Sequence, residues 1–190
     1  MKLILASGSP RRRELLREAG FEFEVAIPDE SAESSGELHL NAGELVAYLA
    51  FKKAENIAHR TQHGLVLAAD TVAECNGIIL GKPRDRDHAS RMLNQMRGQE
   101  HFVHTGVCLW DRPSNRKSLQ TESTTLKMAA LTDSEIADYL DSEMWQGKAG
   151  AFGYQDDLDW VQIVEGSASN VVGLPMDLLA DLLQLDWVCD

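Results

Sequence analysis

The segment 3–16 most constrains the fold, because an apolar run, a turn of small residues and a helix start follow one another directly. Residues 3–5 are apolar enough to form a short buried strand. Ser9 suits the N-cap of the helix, and Pro10 suits its first position, where the missing N–H costs nothing. The segment therefore predicts a strand, a tight turn and a helix in immediate succession.

Three arginines, Arg11, Arg12 and Arg13, fall in the first turn of that helix. Arg12 stands at the third helical position, where a capping box would place Glu or Gln. The free N–H groups of a helix N-terminus together with guanidinium groups point to an anion site, most simply for a phosphate chain. The alternative is an ordinary capped helix with a solvated basic first turn, which opposes the helix dipole.

The apolar face of the same helix singles out Arg12. Leu15, Leu16 and Ala19 are spaced to face the core, and the same face one turn earlier contains Arg12. We therefore expect Arg12 to enter a cleft and not bulk solvent.

Length and charge limit the class of protein. A chain of 190 residues predicts one domain over 1–190, or one domain with a modest second lobe around a cleft. The net charge of −12 argues against a nucleic-acid binder, and an acidic protein that binds a polyanion needs local positive charge and a divalent cation. No apolar stretch reaches membrane-spanning length. Three scattered cysteines without a CxxC pair suit a reducing cytoplasm.

A lysine lies on the apolar face of a second predicted helix, at 42–59. Val46, Leu49 and Ala50 belong to that face, and Lys53 falls on the same line. Such a lysine either extends its ammonium to the solvent edge or projects into a pocket, and the first outcome is the commoner.

The run 65–69 is continuously apolar and predicts a central strand covered on both faces. Asp70 would then stand at the carboxyl end of this strand, where open α/β sheets build their sites, and Thr71 follows at once. A strand-terminal aspartate can also merely cap a turn.

The remaining chain alternates between predicted strands and helices, which indicates an α/β protein with mixed strand directions. The predicted strands lie at 21–27, 78–80, 102–110, 119–128 and 161–164. The predicted helices lie at 85–97, 134–140 and 176–185. Segments 28–41 and 146–156 are predicted loops, and the glycines of the second allow close backbone approach to a ligand. The six histidines lack metal-ligand spacing and are interpreted as ordinary surface or loop residues.

Several nucleotide and hydrolase motifs are absent, since the sequence has no GxxxxGK[ST], GxGxxG or GxSxG element. What remains is a set of cations and carboxylates near the ends of predicted elements: Arg11, Arg12, Arg13, Lys53, Lys82, Glu33 and Asp70. These side chains suit metal-assisted attack of water on a phosphate chain, because the cations neutralise phosphate charge and a carboxylate can deprotonate the water.

Six motifs in order give the chain a resemblance to a known family. They are LASGSPRRR (5–13), KA (53–54), ADTV (69–72), GKP (81–83), KAGAFGYQ (148–155) and VGLP (172–175). Over residues 3–183 the chain resembles the Maf family of nucleoside triphosphate pyrophosphatases.

The resemblance implies an elongated α/β fold, with a mixed sheet flanked by helices around a central cleft, similar to the inosine triphosphate pyrophosphatases. It also implies a cytoplasmic hydrolase of nucleotide metabolism that converts a nucleoside triphosphate to the monophosphate and pyrophosphate with Mg²⁺ or Mn²⁺. Nucleic acid and membranes are not expected partners, and most relatives resemble two-fold dimers. The family has also been tied to septum formation.

Site roles carry over by position. Asp70 would accept the proton of the attacking water and, with Glu33, would bind the metal. The family acid usually lies about one residue closer to the KA motif than Glu33 does, and Glu30 also competes for this role. The implied phosphate ligands are Ser9, Arg12, Arg13, Lys53 and Lys82.

Three positions, Arg11, Thr71 and Gln155, resemble the dTTP/UTP branch of the family. The branch acting on 7-methyl-GTP has Trp, Gln and Glu there. A neutral Gln155 can both accept from and donate to the O4 and N3–H edge of a pyrimidine. After Gln155 the chain departs from the family pattern, because residues 156–159 are more acidic and less rich in glycine.

Two alternatives to this function stay open. One is a non-enzymatic, nucleotide-binding regulator of cell division, which would have no need of a base such as Asp70. The other is the same chemistry directed at a modified nucleotide such as 7-methyl-GTP.

Overall fold

The computed structural model describes residues 2–34, 36, 38–156 and 159–185, and these residues form an α/β fold. The strands are β1 Leu3–Leu5, β2 Phe23–Val25, β3 Gly64–Cys75, β4 Ile78–Leu80, β5 Glu100–Arg112, β6 Lys117–Met128 and β7 Val161–Glu165. The helices are α1 Pro10–Glu18, α2 Ala42–Ala58, α3 Arg86–Met96, α4 Asp133–Asp141, α5 Ala168–Val172 and α6 Met176–Leu183. Short 3₁₀ turns occur at Glu30–Glu33 and Ala149–Ala151.

Within the described ranges the strands form a seven-stranded mixed sheet, which confirms the predicted fold class. The order is β2-β1-β3-β5-β6-β7, with β4 paired to β3. Strand β1 is parallel to both β2 and β3, with Leu5 opposite Val25 and Leu67. The β3–β4 and β6–β7 pairs are antiparallel. A two-residue turn connects β3 directly to β4.

The described chain divides into two compact units. The first unit contains residues up to 70, 105–122 and those from 173 onward, and the second contains 71–104 and 123–172. Leucines of β1, β3, α1 and α6 form one core cluster of the first unit, and α2 packs small residues against the sheet in another. The core of the second unit is built mainly from α3, α4 and strands β5–β7.

Strand β3 is longer than the sequence predicted. The prediction ended it at residue 69 with Asp70 at its carboxyl end, but β3 continues to Cys75 and forms a hairpin with β4. Asn76 and Gly77 both have positive φ, as a two-residue hairpin turn requires. Because β1 ends opposite Leu67, Asp70 lies past the parallel pairing with β1 although it is inside β3.

The other predicted helices and strands are confirmed, with ends that differ by up to a few residues. A capping box starts α4, in which the amide of Glu135 donates to Thr132 Oγ1 at 3.2 Å. The prediction missed α5 and the two 3₁₀ turns, because elements this short have no clear apolar periodicity. None of the helices in the described part of the chain is long and apolar enough to cross a bilayer.

Helix α2 lies in backbone contact with the sheet at Gly106 of β5. A Cβ atom added at Gly106 would lie 2.3 Å from the carbonyl oxygen of Val46 and 2.8 Å from the amide nitrogen of Ala47. Only glycine permits this approach, since real Cβ atoms do not come so close to backbone. Gly106 therefore determines how closely α2 packs on the sheet.

One histidine contradicts the interpretation of all six as surface or loop residues. His101 of β5 is fully buried in the second unit, and its ring contacts the edge of Phe152 at a centroid distance of 5.3 Å. Burial lowers the pKa of His101 from 6.5 to about 4, because the imidazolium form would lose its hydration. His101 is therefore neutral in the folded protein at pH 7.

We expect His101 to make the protein less stable in acid. The unfolded chain binds this proton below about pH 6.5 whereas the folded chain binds it only near pH 4, so stability falls as the pH falls between these values. The loss at pH 4.5 relative to pH 7 should be roughly 2–3 kcal/mol. Urea unfolding at both pH values measures it, and His101→Phe should reduce the difference by that amount. An equal acid loss in the variant would contradict this prediction.

Candidate active site

The helix start predicted at Ser9 is present. Ser9 is the N-cap of α1 with extended backbone (φ −65°, ψ 122°), and Pro10 is the first helical residue. The Ser9 hydroxyl does not cap the helix; instead the Ser9 amide donates to Ser7 Oγ at 3.2 Å. The first turn of α1 therefore has no side-chain cap from Ser9, and its amides remain oriented for an anion.

Arg12 is buried, as its place on the apolar face of α1 predicts, and its side chain is only 9% exposed. Its Nε donates to the carbonyl oxygen of Gly173 at 2.7 Å, and its Nη1 donates to Ser7 Oγ at 3.1 Å. Burial lowers the pKa of Arg12, while the negative charges of Asp70 and Glu33 act in the opposite direction. The guanidinium stays charged in this setting, because its ordinary pKa is far above neutral.

The neighbouring arginines have different surroundings. Arg13 is half-buried and donates from Nη2 to the carbonyl oxygen of Gly8 at 3.0 Å. Arg11 is also half-buried. Of the three, Arg12 is the one whose guanidinium is built into the protein interior.

Lys53 forms the centre of an ion cluster in the first unit, in which Lys53 and Asp70 are buried and the side chain of Glu33 is 49% exposed. Its Nζ lies 2.6 Å from Asp70 Oδ1 and 2.8 Å from Glu33 Oε2. Lys53 is 5% exposed and Asp70 is 8% exposed, so the favoured interpretation of Lys53 as a solvent-edge lysine is wrong. The contacts with two carboxylates offset part of the cost of burying the Lys53 ammonium.

The 3₁₀ turn Glu30–Glu33 orients the glutamate of this cluster. Asp29 occupies the N-cap position of the turn without a capping hydrogen bond from its side chain. Its carboxylate instead accepts from Asn56 Nδ2 of α2 at 2.9 Å, so the turn is attached to the helix that contains Lys53. Both glutamates are exposed, but Glu33 lies 2.8 Å from Lys53 Nζ, and Glu30 is at the other end of the turn. The geometry therefore favours Glu33 over Glu30 as the loop carboxylate.

Glu33 and Asp70 are the residues that could hold a divalent cation. In the described residues no group of three or more His, Cys, Asp or Glu side chains has metal-site geometry. Two carboxylates nonetheless fit Mg²⁺ or Mn²⁺, since such ions are commonly held by one or two carboxylates and completed by substrate phosphates and water. The donor chemistry of this pair thus suits a metal that arrives with a nucleotide.

The other predicted site residues belong to the second unit. Thr71 is half-buried in β3, and Lys82 is exposed between β4 and α3. Gln155 is exposed in the loop after the 3₁₀ turn Ala149–Ala151. The amide of Gly150 donates to the carbonyl oxygen of Gly81 at 3.1 Å, which attaches this loop to the residue before Lys82.

Sequence reasoning missed three features of the polar network. Ser7 and Gly173 provide the acceptors for Arg12, although both lie inside motifs that the sequence analysis quoted. Lys148 and Asp156 form an ion pair eight residues apart in the second unit. The signal for that pair was the acidic departure from the family pattern directly after Gln155.

Known proteins resemble this chain in sequence. A family model described as Maf-like protein matches residues 2–185. The chain is 53% identical over 183 residues to the dTTP/UTP pyrophosphatase of Rhodopirellula baltica, which covers 96% of this chain and 81% of that relative. It is 43% identical over 192 residues to the dTTP/UTP pyrophosphatase of Acetivibrio thermocellus, which covers 97% of this chain and 94% of the relative.

A solved structure also shares the fold. The HAM1 protein from Coxiella burnetii superposes with a TM-score of 0.54 at 14% identity, over 96% of this chain and 98% of that one. At such low identity the similarity concerns the fold alone, and it confirms the fold expected from the sequence.

Proposed function

This chain belongs to the Maf-like protein family, and on that basis we propose that it hydrolyses nucleoside triphosphates, above all dTTP and UTP, to the monophosphate and pyrophosphate. The observation that supports the proposal best is the buried carboxylate of Asp70, which contacts Lys53 and lies close enough to Arg12 to influence its pKa. A base and two phosphate-binding cations thus belong to one small polar region.

In this proposal Asp70 accepts the proton of the attacking water, while the bond between the α- and β-phosphates breaks and pyrophosphate leaves. Lys53 orients Asp70, because its ammonium is 2.6 Å from Oδ1. Arg12, Arg13 and the hydroxyl of Ser9, which does not cap α1, bind phosphate oxygens at the start of the helix. A divalent cation held by Glu33 and Asp70 would add positive charge to the phosphate oxygens.

Four residues are proposed to complete substrate recognition. Lys82 binds phosphate, and its exposed ammonium is available for a polyanion. Arg11, Thr71 and Gln155 select a pyrimidine, with the amide of Gln155 pairing with the O4 and N3–H edge of the base. These roles follow from the family positions that the residues occupy.

Two further proposals concern the location of the protein in the cell and its oligomeric state. Cys75 and Cys108 are free and buried, which supports a reducing, cytoplasmic location. Cys189 lies outside the described residues. A homodimer, expected from the family resemblance, stays a prediction.

Pyrophosphate release from a panel of nucleoside triphosphates tests the function. The panel should contain dTTP, UTP, CTP, 7-methyl-GTP and ITP, each with Mg²⁺, with Mn²⁺ and with a chelator. Preference for dTTP and UTP that is lost with the chelator is the expected result. Release from 7-methyl-GTP or ITP instead would overturn the assigned base preference. No release from any nucleotide would favour a nucleotide-binding regulator.

Replacing Arg12 by methionine should weaken substrate binding more than it slows the bound complex. The change removes a guanidinium that offers both charge and N–H donors to phosphate, so we expect KM to rise about 10- to 100-fold. Steady-state kinetics with dTTP measures this. Arg17→Met on the exposed surface of α1 is the matched control and should leave KM unchanged. An unchanged KM in Arg12→Met would contradict the assigned role.

A further inference from the structure

The loop that contains Gln155 is closed by an ion pair in the second unit. Lys148 precedes the 3₁₀ turn Ala149–Ala151, and its Nζ contacts both carboxylate oxygens of Asp156. The side chains of Lys148 and Asp156 are only 15% and 11% exposed. Such a largely desolvated pair is costly to break, because removal of one partner leaves the other charge without compensation.

Helix α4 anchors the acidic partner of this pair. The hydroxyl of Tyr139 donates to Asp156 Oδ2 at 2.9 Å, and the Tyr139 ring contacts the edge of Trp160 at a centroid distance of 5.2 Å. Tyr139 itself is buried in the core of the second unit. The carboxylate of Asp156 is therefore held by a rigid element as well as by Lys148.

Gly153 has no side chain, and the ion pair occupies the space that a Cβ atom at this position would need. A Cβ atom added there would lie 2.5 Å from Lys148 Nζ and 2.5 Å from Asp156 Oδ2. The amide of Asp156 also donates to the carbonyl oxygen of Gly153 at 3.2 Å, which closes a tight turn. The backbone from 153 to 156 is thus folded around the pair, and Gln155 is part of that turn.

We infer that the Lys148–Asp156 pair, anchored by Tyr139, positions Gln155 and thereby determines how strictly the protein selects a pyrimidine base. The inference rests on the proposed function, because it concerns the base-reading amide of that substrate site. Gln155 is exposed and the residue next to it is immobilised, so the position of the amide depends on the turn and not on packing of its own side chain. Lys148, Asp156 and Tyr139 are positioning residues, since they act through Gln155.

The test compares base selectivity among matched variants. Asp156→Asn removes the charge at constant size, and Asp141→Asn is its control, because Asp141 is an exposed partner of Arg86 in the same unit. The double variant Lys148→Met/Asp156→Asn leaves no unpaired charge and should recover the thermal stability that the single variant loses. The readout is the ratio of kcat/KM for dTTP to that for CTP.

We expect the ratio to fall about tenfold in Asp156→Asn and in the double variant, and to stay unchanged in Asp141→Asn. If the Lys148–Asp156 pair had a purely structural role, the ratio of kcat/KM for dTTP to that for CTP would recover together with thermal stability in the double variant. A ratio within about twofold of the wild type in Asp156→Asn and in the double variant would overturn the inference.

A second measurement does not depend on turnover. Amide hydrogen exchange of the peptide covering 149–156 should be faster in Asp156→Asn than in the wild type and in Asp141→Asn. If the wild type released no pyrophosphate from dTTP or UTP, the proposed function would fail, and the exchange rates would still show whether the pair holds the turn. Unchanged exchange in Asp156→Asn would overturn the positioning role by itself.

Discussion

Replacing Asp70 by asparagine is expected to reduce kcat for dTTP about 10²- to 10⁴-fold while the fold and nucleotide binding are retained. Asparagine has nearly the same size but cannot accept a proton from water. Lys53 keeps its contact with Glu33 at 2.8 Å, so the change does not leave a buried ammonium without a partner. Pyrophosphate release at saturating dTTP measures turnover, and thermal unfolding checks the fold.

Asp111→Asn provides the matched control for Asp70. Asp111 is likewise a buried aspartate of the first unit, 6% exposed, but it accepts from the hydroxyl of Ser114 in a turn. The control should therefore keep wild-type turnover even if it loses some stability. If Asp70→Asn retained turnover within tenfold of the wild type, Asp70 would not be the base.

Replacing Gly106 by alanine should strongly destabilise the protein. The new Cβ would lie 2.3 Å from the carbonyl oxygen of Val46, so helix α2 must move away from β5. Overpacking of this kind costs about 1–3 kcal/mol, and more where backbone must shift. Lys53 lies two helical turns beyond Val46 on the same face of α2, so we also expect turnover to fall.

Gly43→Ala in the first turn of α2 is the control for this variant. The nearest atom to a Cβ at Gly43 is Asn41 Oδ1 at 3.5 Å, an ordinary contact, so alanine should be neutral or stabilise α2 by up to about 1 kcal/mol. Chemical denaturation measures both variants under the same conditions. A Gly106→Ala protein as stable and active as the wild type would show that α2 does not depend on this contact.

Local signals in the sequence were sufficient for most elements of the fold. The N-cap at Ser9, the Asn76-Gly77 hairpin and the capping box of α4 each act within four residues, so they are readable without knowledge of the tertiary structure. The apolar face of α1 also predicted the burial of Arg12, since helical periodicity relates Arg12 to Leu16 one turn away.

The errors concern residues whose environment is non-local. The sequence could not show that Lys53 would meet Asp70 and Glu33, which lie 17 residues after it and 20 before it on separate elements. The apolar run 65–69 suggested that β3 ended there, but pairing with β4 extends the strand. His101 was interpreted as a surface or loop residue because the predicted strand began at residue 102, whereas β5 begins at Glu100 and places His101 on the same buried face as Val103.

By itself, the sequence determined the order and type of most elements, the burial of Arg12 and the family to which the chain belongs. These features depend on the preferences of single residues and on spacings between residues that are close in sequence. Only the tertiary structure decided that Lys53 is buried between two carboxylates, that Glu33 and not Glu30 faces it, and that Asp156 closes the loop of Gln155. Such contacts depend on how elements distant in sequence pack, because an ion pair forms only where the backbone holds both charges within a few ångströms.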